Sequence, residues 1–428
     1  MVVIPVWALL VALFLLFAAS VLLWVYLSGS FQGERQFHLT GLPASEPHFL
    51  ATVASLSDSL MTAGDVLKFW NDIEAIQTAR LDLIHQAQSL IQFETFKMSP
   101  GKRAEAFSDA LCRQAIAGVK VQVLADSYGA KELPTAYWQR LQQAGVEVCF
   151  FNPFSGRSPL TYIRRNHRKL LIVDQQVAMI GGAGISDLWD GKDGKSGHPW
   201  YDFEVALKGE VVGLLTGFFW QHWLTAGGKV DLKEHDPHRS TAAQSSPMLI
   251  TPGEEPTTGD SPIRSLFQLC IAAAQSRLWI ASPYLLPDKI TRDMLRAAQQ
   301  RGVDVRILTM GPNSDKPYVY YTSRDRYGPL LKATIQVYEY QPSMLHGKIV
   351  LIDHHWVSLG SANLDPRSFF HNDELNLCTN QSQLIQQVEQ FFDQGFKQSQ
   401  VIELSAWQRR SLSEQMIGKI GNFFYWQM

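Results

Sequence analysis

The chain has little cysteine, no surplus of basic charge, and no charged side chain at all between Met1 and Phe31. Its four cysteines, Cys112, Cys149, Cys270 and Cys378, are scattered and share no CxxC or CxH spacing. That excludes a zinc ribbon or a redox pair. Each sits in an apolar stretch and reads as a small core residue rather than part of a disulfide framework. Lys and Arg number 38 against 40 Asp and Glu, a net charge of -2. The broad positive field that favours polyphosphate binding is therefore missing, and no nucleic-acid partner is expected. Gly- or Pro-dominated bias is missing too. At 46% hydrophobic and 18% charged the composition is globular.

The uncharged N-terminus is nearly all apolar from Ile4 to Leu27. About 20 such residues span a bilayer as a helix. Pro5 can open the helix, and Trp7, Trp24 and Tyr26 stand near its ends as interfacial aromatics do. A cleaved signal peptide would carry a basic n-region and a shorter apolar run. Residues 1–30 are therefore expected to be a single-pass membrane anchor. Glu34 and Arg35 are the only nearby charges, so orientation rests on little; the cytoplasmic side is the expectation for the rest of the chain.

Residues 31–48 read as a polar linker. Residues 236–260 are rich in Pro, Ser, Thr and Gly without apolar periodicity, and read as an interdomain linker. These divide the chain into domains at 49–235 and 261–404, with an amphipathic tail at 405–428. The tail mixes cations with Trp, Phe and Tyr, and fits either an interfacial helix or docking on the domain surface.

The two domains look like copies. Ala117-Gly-Val-Lys-Val-Gln-Val-Leu124 matches Arg301-Gly-Val-Asp-Val-Arg-Ile-Leu308, and each follows a helix-like segment. Each precedes another helix and a short strand, Val146–Phe151 or Thr334–Tyr338. Upstream, 76–96 and 263–284 both read as a helix running into a buried strand. Helices alternating with continuous apolar strands predict an α/β fold with the sheet covered on both faces. The shared order predicts duplication.

Each copy then carries the same chemistry, His167-x-Lys169-x4-Asp174 and His346-x-Lys348-x4-Asp353. If the His and Lys lie on a strand, two residues apart, they share a face and meet one phosphate. In the second copy Ser361 and Asn363 are again two apart and can donate to phosphate oxygens. Phosphodiester transfer needs such groups. A neutral imidazole attacks phosphorus, a protonated one releases the departing alcohol, and two ammonium groups offset charge on the equatorial oxygens. A covalent phosphohistidine divides the transfer into two steps. One HxKxxxxD can arise by chance; two, each followed by GG or GS at the same offset, do not read as chance.

These segments, with PWYDFEVALKG, ASPYLLPD and GSANLDPRSFFHNDELNL, make the chain resemble the phospholipase D superfamily, and within it the bacterial cardiolipin synthases, over roughly 60–405. The resemblance implies two α/β/α domains in pseudo-twofold arrangement around one active site, so a monomer suffices. It places His167, Lys169, Asp174, His346, Lys348 and Asp353 in the catalytic signature, the two aspartates as supports of the local fold. The near-symmetry of the motifs leaves either histidine as nucleophile; the resemblance favours His167, with His346 as general acid/base. A carboxylate downstream of each motif orients a histidine: Glu374 fits for the second and Asp202 for the first. The first copy departs from the pattern, with Gly184 where Asn is usual, and the Gly182 backbone N–H is expected to help grip phosphate instead. Arg165, with Arg157, Arg164 and Arg168, either holds a second lipid phosphate or lies in a solvated loop. No metal or cofactor is implied; His198, His354, His355 and His371 have no ligand spacing. Tyr318, Tyr320, Tyr321 and Tyr327 fit a substrate-channel loop or plain packing.

The function implied is that of a phosphatidyltransferase in the bacterial inner membrane. Its partners are phospholipids, with phosphatidylglycerol foremost and phosphatidylethanolamine next. Alternatives are a phospholipase D that makes phosphatidic acid, a nuclease or other phosphodiesterase, and a lipid-binding scaffold without activity. The last requires a broken motif, and neither is broken.

Overall fold

The computed structural model describes residues 5–28, 42–156, 162–192, 196–234, 246–253 and 261–428. Arg157 and most of the two expected linkers lie outside them. The helix α1 (Val6–Ser28) is the apolar N-terminal segment, and its Trp7–Val25 stretch is long and apolar enough to cross a membrane, with none of it buried in the protein. After α2 (Phe49–Leu56), the first half runs β1 (Leu60–Trp70), α3 (Ile73–His85), β2 (Leu90–Thr95), α4 (Lys102–Ile116), β3 (Lys120–Asp126), α5 (Thr135–Gln143), β4 (Glu147–Phe151), β5 (Arg165–Asn166), β6 (Leu170–Val173), β7 (Val177–Gly181), β8 (Glu204–Lys208) and α6 (Glu210–Thr225). The second half runs β9 (Ser246–Gly253), α7 (Pro262–Ala273), β10 (Arg277–Ala281), α8 (Lys289–Gln300), β11 (Asp304–Met310), α9 (Pro317–Asp325), α10 (Gly328–Lys332), β12 (Gln336–Tyr340), β13 (Ile349–Ile352), β14 (Trp356–Gly360), α11 (Pro366–Phe370), β15 (Asn372–Thr379) and α12 (Ser382–Lys397). The chain ends with β16 (Ser399–Val401), α13 (Leu404–Gln408) and α14 (Leu412–Phe423).

Local chemistry explains the boundaries. Asp72, Ser261 and Asp288 cap α3, α7 and α8 by accepting backbone N–H groups three residues on, which satisfies donors that a helix start leaves open. β2, β3, β10 and β11 are buried almost throughout on both faces, as strands between two helical layers must be.

All these strands form one sheet, ordered β16-β12-β11-β10-β13-β14-β15-β9-β1-β8-β7-β6-β2-β3-β4, with β5 paired to β15. Read outward from the β9–β1 junction, the two sides repeat: β8 matches β15, β7 matches β14, β6 matches β13, and β2, β3 and β4 match β10, β11 and β12. The fold is duplicated α/β, as the shared segments predict.

The expected linker at 236–260 is corrected in part. Its middle, Ser246–Gly253, is a central strand that pairs antiparallel with both β1 and β15 and welds the halves together. Met248, Leu249 and Ile250 are wholly buried there, a short apolar run masked in sequence by the polar stretches around it. The first boundary is also crossed: Phe49 and Val53 of α2 pack in the second half's core with Ile263 and Leu266. A shared aromatic stack joins the halves again, with Tyr201 lying 4.3 Å from Phe391 and 5.0 Å from Tyr340 between ring centres.

Candidate active site

Each His-x-Lys pair lies in extended residues just before its strand, β6 or β13, rather than within it. The reason is cross-half pairing. Backbone N–H of His167 donates to Asp373 O at 2.8 Å, and that of His346 donates to Tyr201 O at 2.7 Å. Both motifs are thus stitched to the opposite half, one residue before its key carboxylate.

Those carboxylates take the side chains. His167 Nδ1 is 2.9 Å from Glu374 Oε2, and His346 Nδ1 is 2.7 Å from Asp202 Oδ2. The sequence reading, which assigned Glu374 to the second motif and Asp202 to the first by chain order, is revised: each orients the other half's histidine. Folding about a twofold axis puts a residue downstream of one motif beside the other motif, and chain order cannot reveal this. Nδ1–H donation to a carboxylate leaves Nε2 of each ring as the lone-pair nitrogen. Lys348 Nζ lies 2.8 Å from His346 Nδ1, but that nitrogen's proton already faces Asp202, so the ammonium donates to the His346 carbonyl. Lys169 Nζ likewise donates to the His167 carbonyl at 2.6 Å.

Glu374 is held by Ser361 Oγ at 2.5 Å, Ser368 Oγ at 2.7 Å and Asn372 Nδ2 at 3.3 Å. Asp202 receives Trp189 Nε1 at 2.9 Å. Burial opposes both charges, yet the facing His and Lys groups keep the Asp202 and Glu374 carboxyls below their usual range. Burial acts the other way on the cations. It lowers His167 to about 3 and His346 to about 4, Lys169 to about 7 and Lys348 to about 8. Lys348 also depresses His167 and Lys169 across the pseudo-twofold, so the two motifs share one electrostatic site.

The other expected residues divide. Asp174 and Asp353 both adopt positive φ, 52° and 51°, in the turn after their strands. The Asp174 carboxylate accepts from Gln88 N, Ser89 N, Ser89 Oγ and Leu90 N; Asp353 accepts from Gln275 N, Ser276 N, Ser276 Oγ and Arg277 N. These are matching clamps on the starts of β2 and β10, away from the histidines. Ser361 bonds to Glu374 and Leu375 N, so it supports the carboxylate. Asn363 Oδ1 is buried with no hydrogen-bond partner among the described residues.

Gly182 is placed differently from expectation. Its N–H donates to Phe203 O at 3.1 Å, and a Cβ there would collide with Asp202 Oδ1. The glycine makes room for the carboxylate instead of offering its N–H to phosphate. A Cβ on Gly184 would press on Lys97 O and the Trp189 ring, which leaves no space for the usual Asn.

The arginines disperse. Arg165 reaches Asp126 Oδ1 at 3.3 Å and Asn152 O at 3.1 Å and stacks on Tyr162; Arg164 pairs with Asp373 at 2.7 Å; Arg168 is buried, donating to Glu374 O. They brace the first motif and do not converge on one ligand. Tyr320 and Tyr327 are buried, Tyr320 bonding Glu339, so packing explains that pair. His371 Nε2 meets Trp426 O and His354 meets Glu389, and no His/Cys/Asp/Glu group among the described residues has metal-ligand geometry.

Several site residues carried no sequence signal. Trp189 and Trp200 flank the His346 ring at 5.2 and 5.6 Å, while Phe96 flanks His167 at 5.3 Å. His222 links Glu94 at 2.5 Å to Asp373 at 3.1 Å, beneath the first motif. Isolated aromatics and a lone helical His have no spacing to mark them. Ser368 could have been found, three residues after Asp365 in a capping pattern.

A family model described as cardiolipin synthase, PLD-like domain, matches residues 81–188 and 268–395. Cardiolipin synthase 1 of Bacillus anthracis is 30% identical over 401 residues, covering 90% of this chain and 75% of that protein. The cardiolipin synthase of Geobacillus sp. (strain WCH70) is 30% identical over 404 residues, covering 91% and 78%. Among solved structures, the phosphatidylserine synthase of Haemophilus influenzae Rd KW20 superposes with a TM-score of 0.66 at 15% identity, covering 87% of this chain and 96% of that one, a likeness of fold. Two matched segments, one per half, and similarity along nine-tenths of its length mean that the chain belongs to the cardiolipin synthase, phospholipase-D-like domain family.

Proposed function

We propose that this phosphatidyltransferase moves a phosphatidyl group between phospholipids through a covalent phosphohistidine. The observation that carries the reading is the crossed pairing, in which a carboxylate from each half holds the Nδ1 of the other half's histidine and leaves two Nε2 atoms for one phosphodiester. His167 Nε2 attacks phosphorus, and the P–O bond to the headgroup breaks. His346 gives its proton to the departing alkoxide. It then takes the proton of an incoming hydroxyl, whose oxygen displaces His167 from phosphorus. In the free site burial keeps both imidazoles neutral at pH 7. The anionic phosphodiester favours the cationic form of any nearby group, so His346 acquires its proton as substrate binds. Lys169 and Lys348 offset charge on the equatorial oxygens.

Phosphatidylglycerol is the proposed donor and acceptor, with phosphatidylethanolamine as a second donor. The apolar α1 supports membrane anchoring, and we place the catalytic halves on the cytoplasmic side, where the four unpaired cysteines stay reduced. Purified full-length enzyme incubated with phosphatidylglycerol, alone and with phosphatidylethanolamine, is expected to yield cardiolipin by mass spectrometry. Phosphatidic acid as the sole product would replace transfer by hydrolysis. Protease accessibility in inverted against right-side-out vesicles tests the side.

A further inference from the structure

The last helix is locked to the protein by one face and leaves the other bare. Gly418 and Gly421 of α14 lie against α9, where a Cβ on Gly418 would meet Asp325 Cβ at 2.7 Å and one on Gly421 would collide with Thr322 Oγ1. Asn422 adds bonds to Asp325 and Arg326, at 2.7 and 3.0 Å. Backbone-close packing of this kind fixes which way the opposite face points. On that opposite face Leu412, Met416 and Ile420, four residues apart, are 80, 60 and 59% exposed. Ile417, Phe423 and Phe424 widen the stripe. Six large apolar side chains at helical spacing, bare to water, call for a cover.

The neighbourhood identifies it. Directly after α14, the turn Tyr425–Gln427 packs against α1, the helix read as the membrane anchor. The stripe is therefore continuous with a surface already at the membrane. Arg409 and Lys419, both exposed, stand at its edge, as cations do on helices that rest on anionic headgroups. The same turn reaches the catalytic halves, since Arg367 donates to Gln427 O at 3.3 Å and His371 meets Trp426 O at 3.1 Å, just before Glu374 in the chain.

We propose that α14 is a second membrane-contact element, its Leu412–Phe424 stripe lying in the headgroup layer of an anionic phospholipid bilayer beside α1. The proposal rests on the reading of α1 as an anchor. With two contacts the catalytic halves are held in one orientation to the bilayer.

The test is photocrosslinking of the full chain in vesicles of phosphatidylglycerol and phosphatidylethanolamine. p-Benzoylphenylalanine is placed singly at Met416, at Ile420, at Leu13 within α1, and at the exposed Gln142 of α5. Lipid adducts at 416 and 420 are expected near the yield at 13 and about tenfold above that at 142. Adducts at 13 with none at 416 and 420, or crosslinks there to a second copy of the chain, would overturn the docking proposal alone. No adduct at 13 would remove the anchor reading and the proposal with it. As an independent check, Ile420→Glu is expected to slow transfer on vesicles by about tenfold and to leave activity on short-chain lipid in detergent micelles unchanged. Equal activity on both substrates counts against it.

Discussion

Each motif imidazole gives its Nδ1–H to a carboxylate of the opposite half, so each carboxylate fixes a tautomer across the pseudo-twofold. Glu374→Gln keeps size and one acceptor oxygen but loses the charge that stabilises the imidazolium. Transfer is expected to fall by roughly 10^2 to 10^4-fold, with the unfolding temperature little changed; an unchanged rate would remove Glu374 from the mechanism. His167→Ala is expected to leave no phosphohistidine when the enzyme is quenched in acid-free gel with radiolabelled lipid, whereas His346→Ala is expected to accumulate it only from a donor whose headgroup leaves without a proton. On the proposed mechanism the lysines set the alkaline limb. Both must be charged, and burial has lowered them to about 7 and about 8, so kcat/KM is expected to fall as pH rises through that window. Lys169→Arg, whose guanidinium stays protonated, is expected to move the limb upward. A limb that stays put in this variant would deny Lys169 that role.

At the level of elements, the HxKxxxxD pattern holds two different devices. The His and Lys belong to the meeting of the two halves; the Asp belongs to a turn. Asp174 and Asp353 gather the opening N–H groups of β2 and β10, and thereby anchor the strand that precedes each turn. Such charged hydrogen bonds each contribute on the order of 2 kcal/mol. Asp174→Ala is therefore expected to lower stability measurably in chemical denaturation, with activity lost no faster than folded protein. Both carboxyls are held below their usual range by those backbone N–H groups, against the cost of burial. The sign follows: their contribution is present above the unfolded carboxylate value near 3.9 and disappears as pH falls through the lower folded value. Stability of the wild type and of Asp174→Ala should converge in that acid range. The spacing of the motif was plain in sequence, but the supporting role of its Asp came only from the family resemblance, because spacing alone puts the Asp in the same signature as the His and Lys. What spacing could not convey was that the His and Lys leave the ladder before the strand begins, because their backbone partners come from the other half.

For the whole molecule, the decisive contact is β9 against β1. It makes one sheet of two repeated halves, where the sequence suggested two domains and a linker. Unfolding is therefore expected to occur as one calorimetric transition for residues beyond the anchor, and Ile250→Pro, which removes a central ladder N–H, is expected to weaken both halves together. Two well-separated transitions in the wild type would contradict the single-sheet reading.

Sequence by itself determined the long apolar N-terminal helix, the duplication, the α/β class and the two His-x-Lys pairs. These are written locally, in a long uncharged apolar run, in strand and helix periodicities, and in a motif repeated at a fixed offset. Only the tertiary structure decided which carboxylate serves which histidine, why Gly182 has no side chain, and that Met248, Leu249 and Ile250 form the seam. The first and last of these depend on residues from opposite halves meeting across a pseudo-twofold, and the second on Asp202 of Gly182's own half lying against it; burial where the halves meet, which no local pattern encodes, is also what keeps both imidazoles neutral and draws the lysines toward neutrality.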